Sequence, residues 1–280
     1  MSGVNKHFGS AAPRSGEVSI RTVVAKKSLG QNFLVDDNIA RKIVRSAGIT
    51  KDDVVIEIGP GKGALTRFLL ATGARIEAVE KDNVLFRLLS AEFGDSERLT
   101  LVNDDFLEYS FPAAQSMVKI LGNIPYNLTS RIVSRIVDER QHVHSAVLMV
   151  QDEVAARLAA SAGTKEYGSI SVRLNLVADV TKLFPVSPTC FRPRPKVNSR
   201  VIKIAIRRRG VIERESEFVD FVKRAFGMRR KMFRHFAAHY YGKDSIDLLE
   251  EKYRTSRIET MTPEEIYRLF SILERDARAN

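Results

Sequence analysis

Three glycines and a distant acid in the first half of the chain have the spacing of a cofactor site. Gly59, Gly61 and Gly63 lie in "EIGPGKGALT", which follows a strand pattern and opens a helical one. Glycine lets the backbone turn tightly and approach a ligand closely. Glu80 ends the second strand pattern 21 residues after Gly59, where an acid accepts hydrogen bonds from ribose hydroxyls. These features predict a nucleoside-type cofactor but leave NAD open, because the loop with Ala64 also satisfies the dinucleotide fingerprint.

Two further polar segments could contribute to the same site. "LVNDD" ends the third strand pattern, where Asp105 supplies a carboxylate suited to an adenine amino group. Asp104 could be that acid instead, and either could be an ordinary solvated strand end. "LGQNFLVD" has Gln31 and Asn32 just before an amphipathic helix that begins near Asp36. Helix capping is the simpler explanation of that Asn.

The segment "GNIPYN", residues 122–127, combines an amide, a proline and an aromatic ring directly after an apolar run. Asn and Pro commonly interrupt strands, and Tyr126 could simply cover the core. A functional loop and a plain turn are therefore about equally well supported by these six residues, since short motifs often match by chance.

Composition limits the class of protein. A chain of 280 residues predicts one large domain and a smaller one. Hydrophobic residues make up 44% of it, and no apolar run approaches the roughly 18 residues that span a bilayer, so we expect no membrane insertion. The single cysteine, Cys190, fits a reducing compartment such as the cytoplasm. We also expect no metal site.

The N-terminal stretch is basic and lacks the apolar core of a secretory signal. We interpret residues 1–26 as a disordered basic arm. Import into an organelle through this arm, as a transit peptide, is the less favoured alternative.

The whole net charge of +11 comes from one segment. Residues 192–234 contain 15 Lys and Arg against 4 acids, whereas the remainder has 30 of each. A charge run is commonly just a solvated face. Such a concentrated surplus nevertheless favours a nucleic-acid binder, because Lys and Arg release counterions from phosphates.

Alternating apolar and amphipathic stretches predict the architecture. Five short apolar runs from residue 54 onward, separated by helical patterns, indicate βαβ units and a mostly parallel sheet. A closing helix (170–176) and two terminal strands (179–184 and 199–206) follow. The segment "FPVSPTCFRPRPKVNS", with four prolines, predicts a stiff loop.

After residue 209 the strand signal disappears. A helical stripe is formed by Phe218, Val222, Ala225, Met232 and Phe236. Thr262 is a plausible cap of the last helix, with Pro263 in its first turn. We therefore divide the chain into the arm, a sheet domain over 27–208 and a helical domain over 209–280.

In order and spacing, these motifs resemble the ribosomal RNA adenine dimethyltransferase family. The resemblance runs from about residue 27 to the end and includes "GQNFL", "EIGPGKGALT", "GNIPYN", "QDEVAARL", "FRPRPKVNS" and "RRK". "NIPY" after the fourth strand excludes the dehydrogenase interpretation. The resemblance implies a Rossmann-like α/β methyltransferase sheet that uses S-adenosyl-L-methionine, followed by a small all-helical domain.

The resemblance also implies roles for individual residues. Asn123, Pro125 and Tyr126 would form the catalytic loop, and Tyr126 and Phe191 would stack on either face of the target adenine. Core packing is an equally good explanation of Phe191. The residues implied to hold the cofactor are Asn32, Leu34, Gly59, Gly61, Glu80, Asp105 and Asn123. Arg229, Arg230 and Lys231 would contact RNA phosphates, the alternative being a solvated helix face.

By the same resemblance, the substrate is a pair of adjacent adenosines near the 3′ end of small-subunit ribosomal RNA within a pre-30S particle, and the enzyme is a monomer. A macrolide-resistance enzyme acting on large-subunit RNA is the closest rival. A ribosome-assembly or transcription factor of the same fold without catalysis is the other.

Overall fold

The computed structural model describes residue 20, residues 23–26, 29–111, 117–207 and 212–279. Most of the predicted basic arm, residues 1–26, lies outside these ranges. Lys26, which we assigned to the arm, is within them, and its Nζ atom lies 2.8 Å from Asp82 Oδ1.

The central element is a seven-stranded sheet of mostly parallel strands. In chain order, the strands of the described residues are β1 (Phe33–Leu34), β2 (Val54–Ile58), β3 (Arg75–Val79), β4 (Leu99–Val102), β5 (Val118–Asn123), β6 (Val143–Gln151), β7 (Ala178–Val186), β8 (Phe191–Arg192) and β9 (Ser199–Ile206). The sheet has the order β4-β3-β2-β5-β6-β9-β7, and β9 runs antiparallel to both of its neighbours. The predicted βαβ organisation is confirmed.

Within the described ranges, ten α-helices connect and flank these strands. They are α1 (Asp37–Ser46), α2 (Thr66–Leu70), α3 (Asn83–Phe93), α4 (Thr129–Asp138), α5 (Asp152–Leu158), α6 (Ser169–Val177), α7 (Glu215–Gly227), α8 (Phe233–Tyr241), α9 (Glu251–Thr255) and α10 (Pro263–Ala279). Asp36 caps α1 by accepting the backbone N–H groups of Asn38 and Ile39, as the sequence predicted for the helix start. Among the described residues no helix has both the length and the apolar character of a membrane span.

The proline-rich segment is more regular than predicted. Pro185 belongs to β7, which tolerates it because β7 is an edge strand and needs no N–H donor on its open side. Phe191 and Arg192 form β8, which pairs with β1 across more than 150 residues of sequence. Ser187 and a 3₁₀ turn (Pro188–Cys190) separate β7 from β8, and residues 193–198 form a loop before β9.

Alternating strand residues divide the core into two layers. Val55, Ala78, Leu121 and Val147 face one side of the sheet, where α1 and α2 pack. Their neighbours along the strands face the other side and join one cluster that also contains Phe218, Phe221 and Phe270 of the C-terminal helices. The C-terminal helices therefore share their core with the sheet.

Polar contacts link the same elements. Arg173 on α6 forms ion pairs with Asp138 on α4 and with Glu215 on α7, and Arg140 also binds Glu215. Tyr167 donates a hydrogen bond of 3.1 Å to the Met261 backbone oxygen.

The proposed boundary between residues 208 and 209 lies outside the described residues.

The helical stripe predicted through Met232 is wrong at that residue. Residues 228–232 form a turn between α7 and α8, and the Met232 side chain is exposed. The start of α10 is as predicted, because Thr262 Oγ1 accepts the Glu265 N–H and a Glu265 carboxylate oxygen accepts the Thr262 N–H.

Candidate active site

A cleft lies at the carboxyl ends of β2, β3 and β5, where the strand order reverses direction. In open parallel sheets this reversal point is where ligands bind. The predicted residues that line the cleft are Asn32, Leu34, Gly59, Gly61, Glu80, Asp105, Asn123, Pro125 and Tyr126. The fold thus brings together residues from both halves of the sheet domain.

The glycine loop after β2 has a backbone that only glycine adopts easily. Gly59, Gly61 and Gly63 have φ values of 58°, 61° and 73°. A Cβ atom at Gly63 would lie 2.5 Å from a ring carbon of Phe93, so this glycine is needed for packing. A Cβ at Gly59 would meet no protein atom within 4 Å. Gly59 therefore leaves open space on the wall of the cleft.

Glu80 is buried at the end of β3, and both of its carboxylate oxygens are bound. The Gly61 N–H donates to one oxygen at 3.0 Å and the Asp82 N–H to the other at 2.8 Å. Burial raises the pKa of Glu80 above its ordinary value, and these donors oppose that shift. Glu80 thereby fixes the glycine loop relative to β3 while it lines the cleft.

Asp82 connects this acid to the N-terminal segment. One Asp82 oxygen accepts Lys26 Nζ at 2.8 Å and the Val84 N–H at 2.9 Å, and the other accepts Gln31 Nε2 at 3.1 Å. We did not single out Asp82 in the sequence, although its position before α3 is that of a helix cap.

Glu57 is a second buried acid beneath the glycine loop. It is 1% exposed in the centre of β2, and its hydrogen bond comes from Thr66 Oγ1 at 2.8 Å. Burial raises the pKa of Glu57 to about 8, with a contribution from the nearby Glu80 charge. Near neutral pH Glu57 therefore holds its proton.

Asp105 follows β4 at the edge of the cleft. Its carboxylate accepts Lys81 Nζ at 2.7 Å and the Leu107 N–H at 3.0 Å. Burial acts to raise the pKa of Asp105, but these hydrogen bonds outweigh it, so the pKa lies below the ordinary value. Asp104 also lines the cleft and is exposed.

Asn123 ends β5 and is oriented by the chain itself. Its amide nitrogen donates to the Asn32 backbone oxygen at 2.9 Å. The amide oxygen is therefore the end of the side chain that remains an acceptor. Capping, the simpler explanation of Asn32, does not apply, because Asp36 caps α1.

Tyr126 begins a short 3₁₀ turn after Pro125. Its hydroxyl lies 2.6 Å from Ser199 Oγ, and burial raises the pKa of Tyr126, which the hydrogen bond to Ser199 opposes. Ser199 ends the motif "FRPRPKVNS", but the sequence assigned it no role, because nothing local signals a partner 73 residues away.

Phe191 does not line the cleft. It is fully buried in β8 and packs among the residues on the α1 side of the sheet, such as Leu34 and Val201. Its role as the second stacking face is not supported by this placement, which favours core packing, the alternative stated above. The physical reason is the pairing of Phe191 with Leu34, which no local pattern reveals.

The predicted phosphate contacts, Arg229, Arg230 and Lys231, are also outside the cleft lining. They are exposed in the turn between α7 and α8, which is not a helix face but is equally a solvated surface. Arg229 approaches Glu259 at 3.9 Å. In the described part of the chain, no ion pair is formed by Arg230 or Lys231. No cluster of metal-ligating side chains occurs there either.

The cleft has the features of a nucleoside site. There is open space next to Gly59, the buried Glu80 carboxylate lies at the end of β3, and Asp105 lies after β4. Fold and site together define a Rossmann-like α/β protein with a ligand cleft at the strand reversal point. Residues 23–275 match the sequence model of one family in particular, described as ribosomal RNA adenine dimethylase. The chain belongs to that family.

Individual relatives cover nearly the whole chain. Ribosomal RNA small subunit methyltransferase A of Prosthecochloris aestuarii is 43% identical over 251 residues, which are 89% of this chain and 94% of that protein. The protein of the same name from Enterococcus faecalis is 36% identical over 268 residues, 90% of this chain and 91% of its own.

Two solved structures share the fold. A dimethyladenosine transferase from Plasmodium falciparum has a TM-score of 0.78 at 23% identity and covers 87% of this chain and 98% of its own. The 23S rRNA methyltransferase ErmE has a TM-score of 0.68 at 25% identity, covering 87% and 100%.

The buried Glu57 predicts a pH-dependent stability. Its pKa is about 8 in the folded chain against an ordinary value of 4.5, so the folded state binds the extra proton between these values. The resulting stabilisation is complete below pH 4.5 and is lost as the pH rises toward 8. Relative to Glu57→Gln, we expect the wild type to lose on the order of 3 kcal/mol of unfolding free energy between pH 5 and pH 8.

Urea unfolding at both pH values measures this difference. Glu92→Gln on the exposed face of α3 is the matched control and should follow the wild type. Parallel pH curves for the wild type and Glu57→Gln would contradict the assignment of a buried, protonated carboxyl.

Proposed function

We propose that this protein dimethylates the exocyclic amines of two adjacent adenosines near the 3′ end of small-subunit ribosomal RNA, with S-adenosyl-L-methionine as methyl donor. The observation that carries the proposal is the orientation of Asn123, whose amide oxygen remains an acceptor at the edge of a nucleoside-binding cleft. Family membership and the relatives named as small-subunit methyltransferases support it.

The adenine amino group is a weak nucleophile. The lone pair of an adenine amino group is delocalised into the ring and must be relocalised before it attacks a methyl group. Asn123 Oδ1 and the backbone carbonyl of Ile124 or Pro125 would accept the two amino hydrogens and draw the nitrogen toward tetrahedral geometry. The N–C bond would form as the C–S bond breaks, with a neutral thioether as the leaving group, and the strongly acidic ammonium so formed would lose its proton to water. The reaction then requires orientation and hydrogen bonding and no strong base.

Pro125 and Tyr126 would hold the base in that position. The proline ring fixes φ at −59° and removes a competing N–H donor from the loop. The tyrosine ring offers a face for stacking, a contact worth about 1–3 kcal/mol in single-strand binders. Unstacking the target costs a few kcal/mol and costs least where the adenosine is already in a loop.

The cofactor supplies a methyl group bound to a sulfonium sulfur. Residues that would hold it are Asn32, Leu34, Gly59, Gly61, Glu80, Asp105 and Asn123, all of which line the cleft. Glu80 would receive the ribose hydroxyls and Asp105 the adenine amine. Because Glu80 also binds the Gly61 N–H, the same carboxylate would position both the loop and the ribose.

We assign RNA binding to the region beyond residue 208 and to its turn, Arg229, Arg230 and Lys231. We further propose that the protein acts as a cytoplasmic monomer on a pre-30S particle, as its family resemblance implies. The macrolide-resistance alternative draws on the likeness to ErmE, but the relatives with the greater identity carry small-subunit names. Retained Asn123 and Glu80 disfavour an assembly factor without catalysis.

Methyl transfer from labelled S-adenosylmethionine tests the proposal directly. The substrates are unmethylated 30S particles and, separately, protein-free large-subunit RNA, with the modified nucleosides resolved by mass spectrometry. We expect dimethyladenosine from the 30S particle alone. Label confined to large-subunit RNA would assign the resistance activity, and tight particle binding without label would assign an assembly factor.

Replacing Asn123 should remove the reaction and spare RNA binding. Asn123→Ala takes away the predicted acceptor for the amino group, so we expect the transfer rate to fall by at least about 100-fold, comparable to losing one oxyanion-hole donor. Particle affinity should change by less than about twofold. Asn38→Ala, an exposed asparagine on α1, is the control with unchanged rate. Substantial turnover by Asn123→Ala would refute the lone-pair argument.

Charge reversal in the turn should weaken RNA binding in a salt-dependent way. For Arg230→Glu with Lys231→Glu, each lost phosphate contact should reduce the slope of log K against log salt by about 0.7–0.9. Filter binding of 30S particles at several salt concentrations measures the slope. The control is Lys51→Glu with Arg75→Glu, exposed residues at the opposite, amino-terminal edge of the sheet. Equal slopes for the two double variants would rule out phosphate contacts in the turn.

A further inference from the structure

Ser199 is the buried partner of the tyrosine in the catalytic loop. Its Oγ lies 2.6 Å from the Tyr126 hydroxyl, and Ser199 has no exposed surface. Tyr126 lines the cleft, whereas Ser199 does not. This hydrogen bond therefore joins a ring on the wall of the site to a hydroxyl in the protein interior.

The backbone around Ser199 is held from both sides. It is the first residue of β9 and pairs with Gln151 at the end of β6 and with Val186 at the end of β7. The Asp152 N–H donates to the Asn198 backbone oxygen at 3.0 Å. The next residue, Arg200, forms an ion pair with Asp152. Ser199 Oγ is thus a fixed point set by the sheet.

The other end of the tyrosine is fixed by its own loop. The Leu128 N–H donates to the Pro125 backbone oxygen at 3.0 Å, and Thr129 Oγ1 donates to the Tyr126 backbone oxygen at 3.2 Å. With the backbone held by this turn and the hydroxyl held by Ser199, the ring is anchored at both ends of its long axis. An anchored ring cannot swing into or out of the cleft without breaking the hydrogen bond.

We propose that Ser199 is a positioning residue for the target base, acting through Tyr126. The inference rests on the proposed function, in which Tyr126 stacks on the adenine. A ring already held in its stacking position loses little conformational freedom when the base arrives, so the amino group meets Asn123 in the correct geometry more often. Removal of the Ser199 hydroxyl would release the ring and leave the half-buried Tyr126 hydroxyl without this partner.

A double-mutant cycle separates this role from ordinary core packing. Ser199→Ala and Tyr126→Phe each break the hydrogen bond while keeping the fold and the aromatic face. We expect each variant to lower kcat on 30S particles by about 2- to 10-fold, the range of one hydrogen bond. The double variant should be no slower than the slower single variant, because the bond can be lost only once. The KM for S-adenosylmethionine should stay unchanged.

Ser145→Ala is the matched control. Ser145 is buried to 2% exposure on β6, pairs with Ala205 of β9, and lies at the end of that ladder remote from the cleft. This variant removes a serine hydroxyl at similar depth in the same sheet. It should leave kcat unchanged even if it lowers the stability of the fold.

A second measurement does not depend on turnover. The chain has 7 tyrosines, so incorporation of 3-fluorotyrosine gives a small set of ¹⁹F resonances. The resonance absent from Tyr126→Phe belongs to Tyr126. We expect Ser199→Ala to shift or broaden that resonance and Ser145→Ala to leave it in place.

The outcomes distinguish a failure of the Ser199 role from a failure of the proposed methyl transfer. If the wild type is active but the losses of the two single variants multiply, or if the Tyr126 resonance does not respond to Ser199→Ala, Ser199 is only a core residue and the inference fails alone. If the wild type transfers no methyl group to any ribosomal substrate, the proposed function fails and the inference fails with it.

Discussion

The geometry of the site depends first on one hydrogen bond, from the Asn123 amide to the backbone oxygen of Asn32. It joins the end of β5 to a segment 91 residues earlier, and that segment continues into β1. β1 pairs with β8, and the loop at residues 193–198 follows β8 directly. The start of that loop is therefore held near the same hydrogen bond. The direction in which Asn123 presents its oxygen is therefore a property of the tertiary fold and exists before any ligand binds. Such preorganisation is how a weak hydrogen-bonding group can contribute to a reaction.

Three acids are buried at and beneath the glycine-loop side of the cleft, and each has hydrogen-bond donors. Glu57, Glu80 and Asp82 are each at most 5% exposed, and each is matched to a different kind of donor. Glu57 has one hydroxyl and keeps its proton, Glu80 has two backbone N–H groups, and Asp82 has a lysine, an amide and a helix start. A buried carboxylate that loses its partner is costly, so these donors are as necessary to the site as the acids themselves.

Much of this arrangement was predictable from the sequence, and the exceptions have a common cause. The strands, the glycine loop, Glu80 and the cap at Thr262 follow from periodicity and local spacing, which a single sequence displays directly. Met232 and the turn at 229–231 were misjudged because a helical stripe continues in register across a short break. The placement of Phe191, Asp82 and Ser199 depends on partners that are more than 50 residues away in the sequence. Pairing of that kind is decided by tertiary structure, and no local pattern encodes it.

The core shared between the sheet and the C-terminal helices has a consequence for how a long substrate is read. Phe218, Phe221 and Phe270 belong to the same apolar cluster as Ile56 and Ile120 of the central strands. Bending the two parts against each other would expose that cluster to water. The separation between the basic turn and Asn123 is consequently fixed when the core forms. Under the proposed function, in which that turn holds the RNA, a second adenosine next to the first would reach the cleft only when the RNA advances by one nucleotide.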